Sequence, residues 1–228
     1  METQSVPHVL GLDNRIYYKG SQGWTVLPEG GLGKDIGVDF SGRIWHIGMN
    51  DLIYINPRTP ASWSVYLGGA QQAIALAISS SGDAYIVGKN NHAYKANGTD
   101  WTELPGGMTG ATDIAVDGRG RPWVLDSRGR TMFLGSSNWL EYPGERIGTA
   151  LTVSRDGVPF IVGTDSCVYE GTMTGWKTLS GNGKARHLAI DAAGKVWAIG
   201  LDYGIWWHEG EEWRRCSGGM KGIRIALP

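Results

Sequence analysis

The segment Thr112–Gly144 reads TDIAVDGRGRPWVLDSRGRTMFLGSSNWLEYPG and contains four short apolar runs separated by glycine-rich or polar turns. Each run is about five residues long, which is typical of strands in an antiparallel meander. A tryptophan, Trp139, opens the fourth run. The segment therefore predicts one four-stranded antiparallel sheet.

The tryptophan that opens the fourth run recurs along nearly the whole chain. Six copies occur, at Trp24, Trp63, Trp101, Trp139, Trp176 and Trp213. Their spacings are 39, 38, 38, 37 and 37 residues. A period of this length is the signature of repeat folds, in which each copy buries its apolar faces against its neighbours. We therefore expect six similar sheets arranged around an axis.

The two chain ends each carry an incomplete copy of the repeat. Residues 1–34 lack a first strand, whereas Gly222–Pro228 (GIRIALP) matches a first strand and then stops. The complete units begin at Asp35, Ala75, Asp113, Ala150 and His187. The C-terminal strand should complete the N-terminal sheet and close the ring, which removes exposed strand edges. The predicted fold is an all-β, six-bladed β-propeller of four-stranded blades, formed as a single domain by residues 1–228.

Composition excludes several classes of partner. The formal net charge is −1, so no global field attracts nucleic acid or an anionic membrane surface. No apolar run reaches transmembrane length, and METQSVPHVL has neither the basic start nor the apolar core of a signal peptide. The two cysteines, Cys167 and Cys216, lie in different repeats. We therefore expect a cytoplasmic protein that does not insert into membranes.

The turn between the second and third strands carries the most consistent polar position. Its third residue is one of Asp13, Asn50, Asn90, Arg128, Asp165 and Asp202. Asp and Asn favour tight turns because their side chains accept hydrogen bonds from nearby backbone N–H groups. The functional alternative is a ring of acceptors for the paired hydroxyls of sugars. The fourth repeat departs from the pattern at both Asp126 and Arg128.

The loop from each fourth strand to the next first strand is predicted to lie on the same face as that turn. These loops and the strand starts after them carry polar and apolar side chains, which would form shallow mixed clefts between blades. Such clefts suit carbohydrate, because sugars have apolar faces and hydroxyl rims. The alternative is that these side chains merely cover the blade ends. The candidate sugar contacts are Lys34, Gln72, Met108, Arg186 and Met220.

Other chemistry is poorly supported. Tryptophans that recur in every repeat are packing residues first, although the neighbours Trp206 and Trp207 must point to opposite faces of their strand. The five histidines are scattered, and no set of His, Cys, Asp and Glu has metal-ligand spacing. The inner strands are mainly aliphatic or small, which disfavours an enzyme that uses the axial channel. We expect no catalytic residues, metal or cofactor.

The pattern D-I-A-V-D-x-x-G-x-x-W-V, followed by G-x-D, by Tyr and by W-x-x-L-P-G, resembles the tectonin repeat. It is nearly complete in Asp113–Gly144 and in His187–Gly218, and weaker in the other units. The resemblance to the tectonin-repeat β-propeller lectins, the fungal defence type above all, implies metal-independent sugar binding at repeated sites near blade junctions. It also implies cell-surface glycans as partners, with O-methylated mannose or fucose on bacteria or nematodes.

Two functions follow as hypotheses. The first is a multivalent lectin with up to six similar sites, which would agglutinate cells in innate defence and could assemble as a homo-oligomer. The alternative is a cytosolic scaffold that binds a protein through one asymmetric patch.

Overall fold

Glycine-rich turns and alternating apolar residues fold the chain into six four-stranded antiparallel sheets. The computed structural model describes residues 6–27, 31–56, 63–69 and 71–228. Within those ranges, the helical structure consists of two short 3₁₀ segments, Tyr66–Gly69 and Ser180–Asn182. The sheets are the blades of a six-bladed β-propeller, as the repeat predicts.

Blades I to III contain the first eleven strands and the last one. Blade I is β24 (Gly222–Ala226), β1 (His8–Gly11), β2 (Ile16–Gly20) and β3 (Gly23–Val26). Blade II is β4 (Gly33–Val38), β5 (Ile44–Gly48), β6 (Ile53–Asn56) and β7 (Ser64–Val65). Blade III is β8 (Ala73–Ile78), β9 (Ala84–Gly88), β10 (Ala93–Ala96) and β11 (Trp101–Glu103).

Blades IV to VI contain the remaining twelve strands. Blade IV is β12 (Ala111–Val116), β13 (Pro122–Asp126), β14 (Thr131–Leu134) and β15 (Trp139–Glu141). Blade V is β16 (Gly148–Val153), β17 (Pro159–Gly163), β18 (Val168–Thr172) and β19 (Gly175–Thr178). Blade VI is β20 (Ala185–Ile190), β21 (Val196–Gly200), β22 (Ile205–Glu209) and β23 (Glu212–Arg215).

The two chain ends meet in blade I and close the ring. Strand β24 pairs antiparallel with β1, and Val9 lies opposite Ile225. Both side chains are buried, at 0% and 1% exposure. The predicted closure is therefore confirmed, and the inner edge of β1 is covered by the last strand of the chain.

The innermost strands begin two residues earlier than the sequence predicts. In each complete blade the pairing with the second strand skips one residue, so that Gly33 pairs with Gly48 and Asp35 with Ile47. The same shift occurs in blades III to VI. A β-bulge of this kind leaves one residue unpaired and re-aims its side chain. The bulged residues of these five blades are Lys34, Ile74, Thr112, Thr149 and Arg186.

Apolar side chains from facing blades form the core. Between blades IV and V, for example, Trp123 and Leu125 pack with Leu151 and Ile161 at 5% exposure or less. Burying one such side chain contributes about 1.5–3 kcal/mol to folding. Each blade is thus held mainly by its two neighbours.

The six innermost strands surround an axial channel with a cavity of about 150 Å³. We call the face that carries the turns between second and third strands the upper face, and the opposite one the lower face. The loops that connect successive blades also end at the upper face, where each new first strand begins.

Candidate functional site

The polar turn residues of the upper face are fixed by the turns themselves. Asp13, Asn50, Asn90, Asp165 and Asp202 each accept a hydrogen bond from the backbone N–H two residues later, over 2.9–3.3 Å. Each also bonds to the aromatic side chain four residues later, over 2.7–3.3 Å. One example is the Tyr169 hydroxyl, which donates to Asp165 Oδ2 over 2.7 Å. The predicted turn role is observed, and part of each acceptor capacity is already used.

These contacts also set the charge of the turn acids. The hydrogen bonds from Tyr169 and from the Cys167 backbone N–H lower the pKa of Asp165. At Asp13, partial burial alone would raise the pKa, but the bonds from Tyr17 and from the Arg15 backbone outweigh it and lower the pKa. Both carboxylates are therefore ionised at neutral pH.

The fourth repeat builds its turn differently. Asp126, not Arg128, accepts the backbone hydrogen bonds of residues 128 and 130, each over 2.9 Å. Its carboxylate also pairs with the Arg130 guanidinium over 2.7 Å. The third strand carries Met132 where the others carry an aromatic residue. Blade IV therefore lacks the hydrogen bond between a turn Asp or Asn and an aromatic side chain that the other blades have.

Each turn is tied to the start of the next blade. The residue after the turn acceptor has a left-handed backbone, as at Ser166 with φ of 66°. Its carbonyl accepts a hydrogen bond from the first residue of the next innermost strand, for example from Ala185 N–H over 2.8 Å. Turns and inter-blade loops therefore share the upper face, as predicted.

The loop candidates fall into three environments. Lys34 forms an ion pair with Asp51, which also accepts from Lys89 over 2.8 Å. Arg186 lies with its guanidinium 4.6 Å from the ring centroid of Tyr203. Gln72 is exposed directly before β8.

The two methionine candidates have less exposed surface. Met108 is 8% exposed and packs in the apolar cluster between blades III and IV. Met220 is half-buried and packs against the cluster that joins blades VI and I. At both positions the structure gives the side chain a packing role, and Met108 contributes almost no surface to the upper face.

An open cleft of about 530 Å³ lies between blades V and VI, and we call it the V–VI cleft. Its volume is in the range of small-molecule sites. Two indoles, Trp206 of β22 and Trp213 of β23, line it. The other lining residues are Val168, Gly181, Gly183, Lys184, Ala185, Ala198, Gly200, Leu201, Asp202 and Glu212.

The charged groups of the V–VI cleft are held in defined positions. Asp202 accepts hydrogen bonds from Gly204 N–H over 2.9 Å and from Trp206 Nε1 over 3.3 Å. The guanidinium of Arg215 lies 3.2 Å from its other oxygen. Lys184 Nζ donates to the Asp165 carbonyl over 3.0 Å and to Cys167 Sγ over 2.9 Å. The cleft thus presents an oriented carboxylate and an ammonium group beside two aromatic rings.

The loop glycines allow Trp213 to pack closely. A Cβ atom at Gly183 would lie 2.2 Å from Trp213 Nε1, which no side chain could tolerate. Trp206 faces this cleft, whereas Trp207 packs against Trp197 with ring centroids 5.5 Å apart. The adjacent tryptophans therefore point to opposite faces of β22, as predicted.

Sequence reasoning did not identify the residue that opens this cleft. Ala198 follows Trp197 in the second strand of blade VI and faces blade V. The same position in blades I to V is occupied by Val9, His46, Ile86, Val124 and Ile161. The smallest of the six side chains therefore lies where the cleft is open, and an alignment of the second strands carries that signal.

No protein-family model and no curated protein matches the chain. Solved structures that resemble it include TolB from Acinetobacter baumannii, at 12% identity and a TM-score of 0.73, over 98% of this chain and 66% of that one. Catalytically inactive H270A virginiamycin B lyase from Staphylococcus aureus with quinupristin matches at 11% identity and a TM-score of 0.63, over 98% and 86%. YCF48 bound to D1 peptide matches at 15% identity and a TM-score of 0.61, over 93% and 78%.

Within the described residues, no helix is long and apolar enough to cross a membrane. In the same part of the chain, no group of three or more His, Cys, Asp or Glu side chains could hold a metal ion. At these identities, the likenesses to solved structures show the β-propeller fold alone.

Proposed function

We propose that this protein is a carbohydrate-binding protein, a lectin of the tectonin-repeat type, with the V–VI cleft as its principal sugar site. The observation that carries the proposal is the combination, in one open cleft, of two indoles with oriented charged groups. Aromatic rings pack against the apolar faces of sugars, and the Asp202 carboxylate and Lys184 ammonium can bond to hydroxyls. The residues that carry the resemblance to tectonin repeats support the same function.

O-Methylated glycans on bacterial or nematode surfaces are the proposed ligands. The exposed Leu201 and the two indoles give the V–VI cleft an apolar wall, and Val168, Ala185 and Ala198 lie at its base with 2% exposure or less. A methyl ether can lie against such a wall, whereas a free hydroxyl there would lose hydrogen bonds to water. Methylated mannose and fucose therefore suit this cleft better than their parent sugars, in agreement with what the resemblance implies.

Defence by agglutination requires several sites on one particle. A single shallow site with a dissociation constant of about 1 mM contributes only about −4 kcal/mol. Linking sites on a rigid body can raise the apparent affinity about 10²- to 10⁴-fold. Several clefts on one propeller, or several copies of the chain, would supply that gain.

A glycan array with O-methylated mannose and fucose beside their unmethylated parents tests the proposal. We expect methylated glycans to bind, and Ala198→Ile to reduce the affinity at least about tenfold, or 1.4 kcal/mol. The replacement fills the V–VI cleft with the residue found at this position in blades III and V. The matched control is Val124→Ile, which enlarges the same position in blade IV.

Equal binding by the wild type and Ala198→Ile would show that the sugar does not bind in the V–VI cleft. Loss of binding in both variants would indicate general damage to packing, and then Asp202→Ala, on the cleft surface, decides. If Asp202→Ala bound like the wild type, the proposed site would be wrong.

A protein-interaction scaffold is the second candidate function, and the lower face favours it. A depression of about 320 Å³ at the lower mouth of the channel is lined by Val38, Ile78, Val116, Val153 and Ile190. Phe40 also lines it and is 77% exposed. Exposed apolar patches of this kind often mark protein contacts. An array without any bound glycan, from correctly folded protein, would favour this function.

A further inference from the structure

Titratable side chains converge at the upper mouth of the axial channel, away from the V–VI cleft. Blade I has the same bulge, at Ile223, and four innermost strands place a titratable side chain at the position that follows it. In blades I, II, IV and VI these are Arg224, Asp35, Asp113 and His187. Blades III and V carry Ala75 and Ala150 there. The sequence alone does not reveal this convergence, because the four residues are spread over 190 positions.

Three of these side chains also hold neighbouring blades together. Asp35 accepts a hydrogen bond from Leu76 N–H, and Asp113 accepts one from Leu151 N–H, each over 2.8 Å. Ile225 N–H donates to His187 Nδ1 over 3.3 Å. These bonds satisfy backbone groups on the free inner edge of the next blade, and they fix each side chain at the channel wall.

The charges at the mouth do not balance. Arg224 Nε lies 3.5 Å from Asp35 Oδ1, so these two charges form a pair. Burial, with the charge of Arg224, lowers the pKa of His187 far below its ordinary value, so that this imidazole is neutral. Among the described residues, no cationic group forms an ion pair with Asp113. Whenever Asp113 is ionised, one carboxylate is therefore in excess at the mouth of a narrow, partly apolar channel.

We propose that the upper mouth of the channel binds a small organic cation through a primary ammonium group, with the Asp113 carboxylate as its charge partner. The cavity of about 150 Å³ has the volume of about five water molecules. Below the mouth, the small side chains Ala77, Ala115 and Ala189 line the channel, where the short apolar body of the ligand would lie. An ammonium ion needs fewer ligands than a divalent metal, which prefers six or more oxygen atoms.

Binding should depend on pH through Asp113. Burial and the charge of Asp35 raise the pKa of Asp113 to about 7. The titratable groups near it are Asp35 and His187, which line the same cavity, and Arg224, whose charge acts on it. The strands β8 and β16 carry alanines at the equivalent position. Because the cation requires the ionised carboxylate, affinity should be about tenfold lower at pH 6 than at pH 8.

The test is a titration with methylammonium chloride at constant ionic strength, followed by NMR of the alanine methyl groups that line the channel. We expect saturable shifts with a dissociation constant of about 1–10 mM at pH 8. Asp113→Asn removes the charge but keeps an oxygen that can accept from Leu151 N–H, and it should weaken binding at least about tenfold. The control, Asp156→Asn, removes the same charge from an exposed turn on the lower face.

No saturable shift in the wild type at pH 8 would overturn the proposal, as would equal binding by Asp113→Asn. Equal binding at pH 6 and pH 8 would also overturn it. If Asp113→Asn failed to fold, the pH dependence in the wild type and in Asp156→Asn would decide. None of these readouts depends on sugar binding.

Discussion

One position in the repeat decides whether the junction between two blades is open or filled. Ala198 leaves the V–VI cleft open, whereas His46 occupies the equivalent place between blades I and II and is 2% exposed. Its ring stacks on Tyr54 at 5.0 Å and meets Trp63 edge-on at 4.3 Å. Its Nδ1 atom is buried without a hydrogen-bond partner. The histidine therefore acts as an apolar filler as long as it is neutral.

This burial makes His46 a source of acid sensitivity. Burial lowers the pKa of His46 from 6.5 to about 4. In the unfolded chain the imidazole binds a proton more readily, so stability falls as pH decreases from about 6.5 to 4. Each pH unit in that window removes up to about 1.4 kcal/mol. Replacing His46 with Leu should remove this contribution, and the variant should lose less stability than the wild type between pH 7 and pH 5.

Urea unfolding at the two pH values measures the effect. Folding also changes the pKa values of His187 and Asp113. The relevant quantity is therefore the difference between variant and wild type in how the free energy of unfolding changes with pH. His92, which is half-buried and contacts Glu103 at the protein surface, is replaced with Gln as the control. An identical loss in the wild type and in His46→Leu would show that His46 is not protonated on unfolding in this range.

At the scale of strands and blades, the sequence was sufficient for the architecture. The spacing of Trp24 and its five equivalents predicted six blades, and the unmatched strand at the C-terminus predicted their closure. Both features can be read from the chain because the repeat period is a property of the sequence itself. The start of each innermost strand was misplaced by two residues, since a bulge such as the one at Lys34 depends on the pairing partner. The open cleft depends on the small volume of Ala198 relative to its five equivalents in the other blades. The charged groups at the channel mouth come from different blades that meet only in the folded ring. Neither feature is visible within one repeat.

Closure by β24 should carry much of the stability. A chain that ends at Lys221 would expose the edge of β1, uncover Val9 and remove the Arg224 partner of Asp35. We expect loss of the cooperative transition, because the missing contacts are comparable to a typical total stability of about 5–15 kcal/mol. Thermal unfolding and size-exclusion chromatography measure this loss. A synthetic GIRIALP peptide added in excess should restore part of the transition, whereas an unchanged melting midpoint without the peptide would contradict the role of β24.

At the scale of the whole molecule, blades II to VI alternate between two types, whereas blade I, with Leu227 after its innermost strand, fits neither. In blades II, IV and VI an aspartate directly follows the innermost strand, and in blades III and V a serine does. The aspartates are Asp39, Asp117 and Asp191, and the serines are Ser79 and Ser154. The side-chain hydrogen bonds between adjacent blades at the channel mouth follow the same alternation. In blades II, IV and VI, Asp35, Asp113 and His187 each accept a backbone hydrogen bond from the next blade. The ring is therefore closer to three similar blade pairs than to six equal blades, and the V–VI cleft has two counterparts, at the I–II and III–IV junctions.

If the V–VI cleft is the sugar site that we propose, this alternation means that substitutions can change the number of such sites. His46 fills the I–II counterpart, and Val124 with Met132 changes the III–IV counterpart, so we expect one strong site per chain in the wild type. His46→Ala should open a second cleft beside Tyr54, Trp63 and Asn50, and raise the stoichiometry from one to two. Native mass spectrometry with an array-positive glycan counts the bound molecules, and tryptophan fluorescence checks that the variant is folded. His46→Leu, which keeps the junction filled, is the matched control. If both variants bound the same number of glycans as the wild type, side-chain volume at this position would not control the proposed sites, and any avidity for glycans would have to come from another surface of the ring.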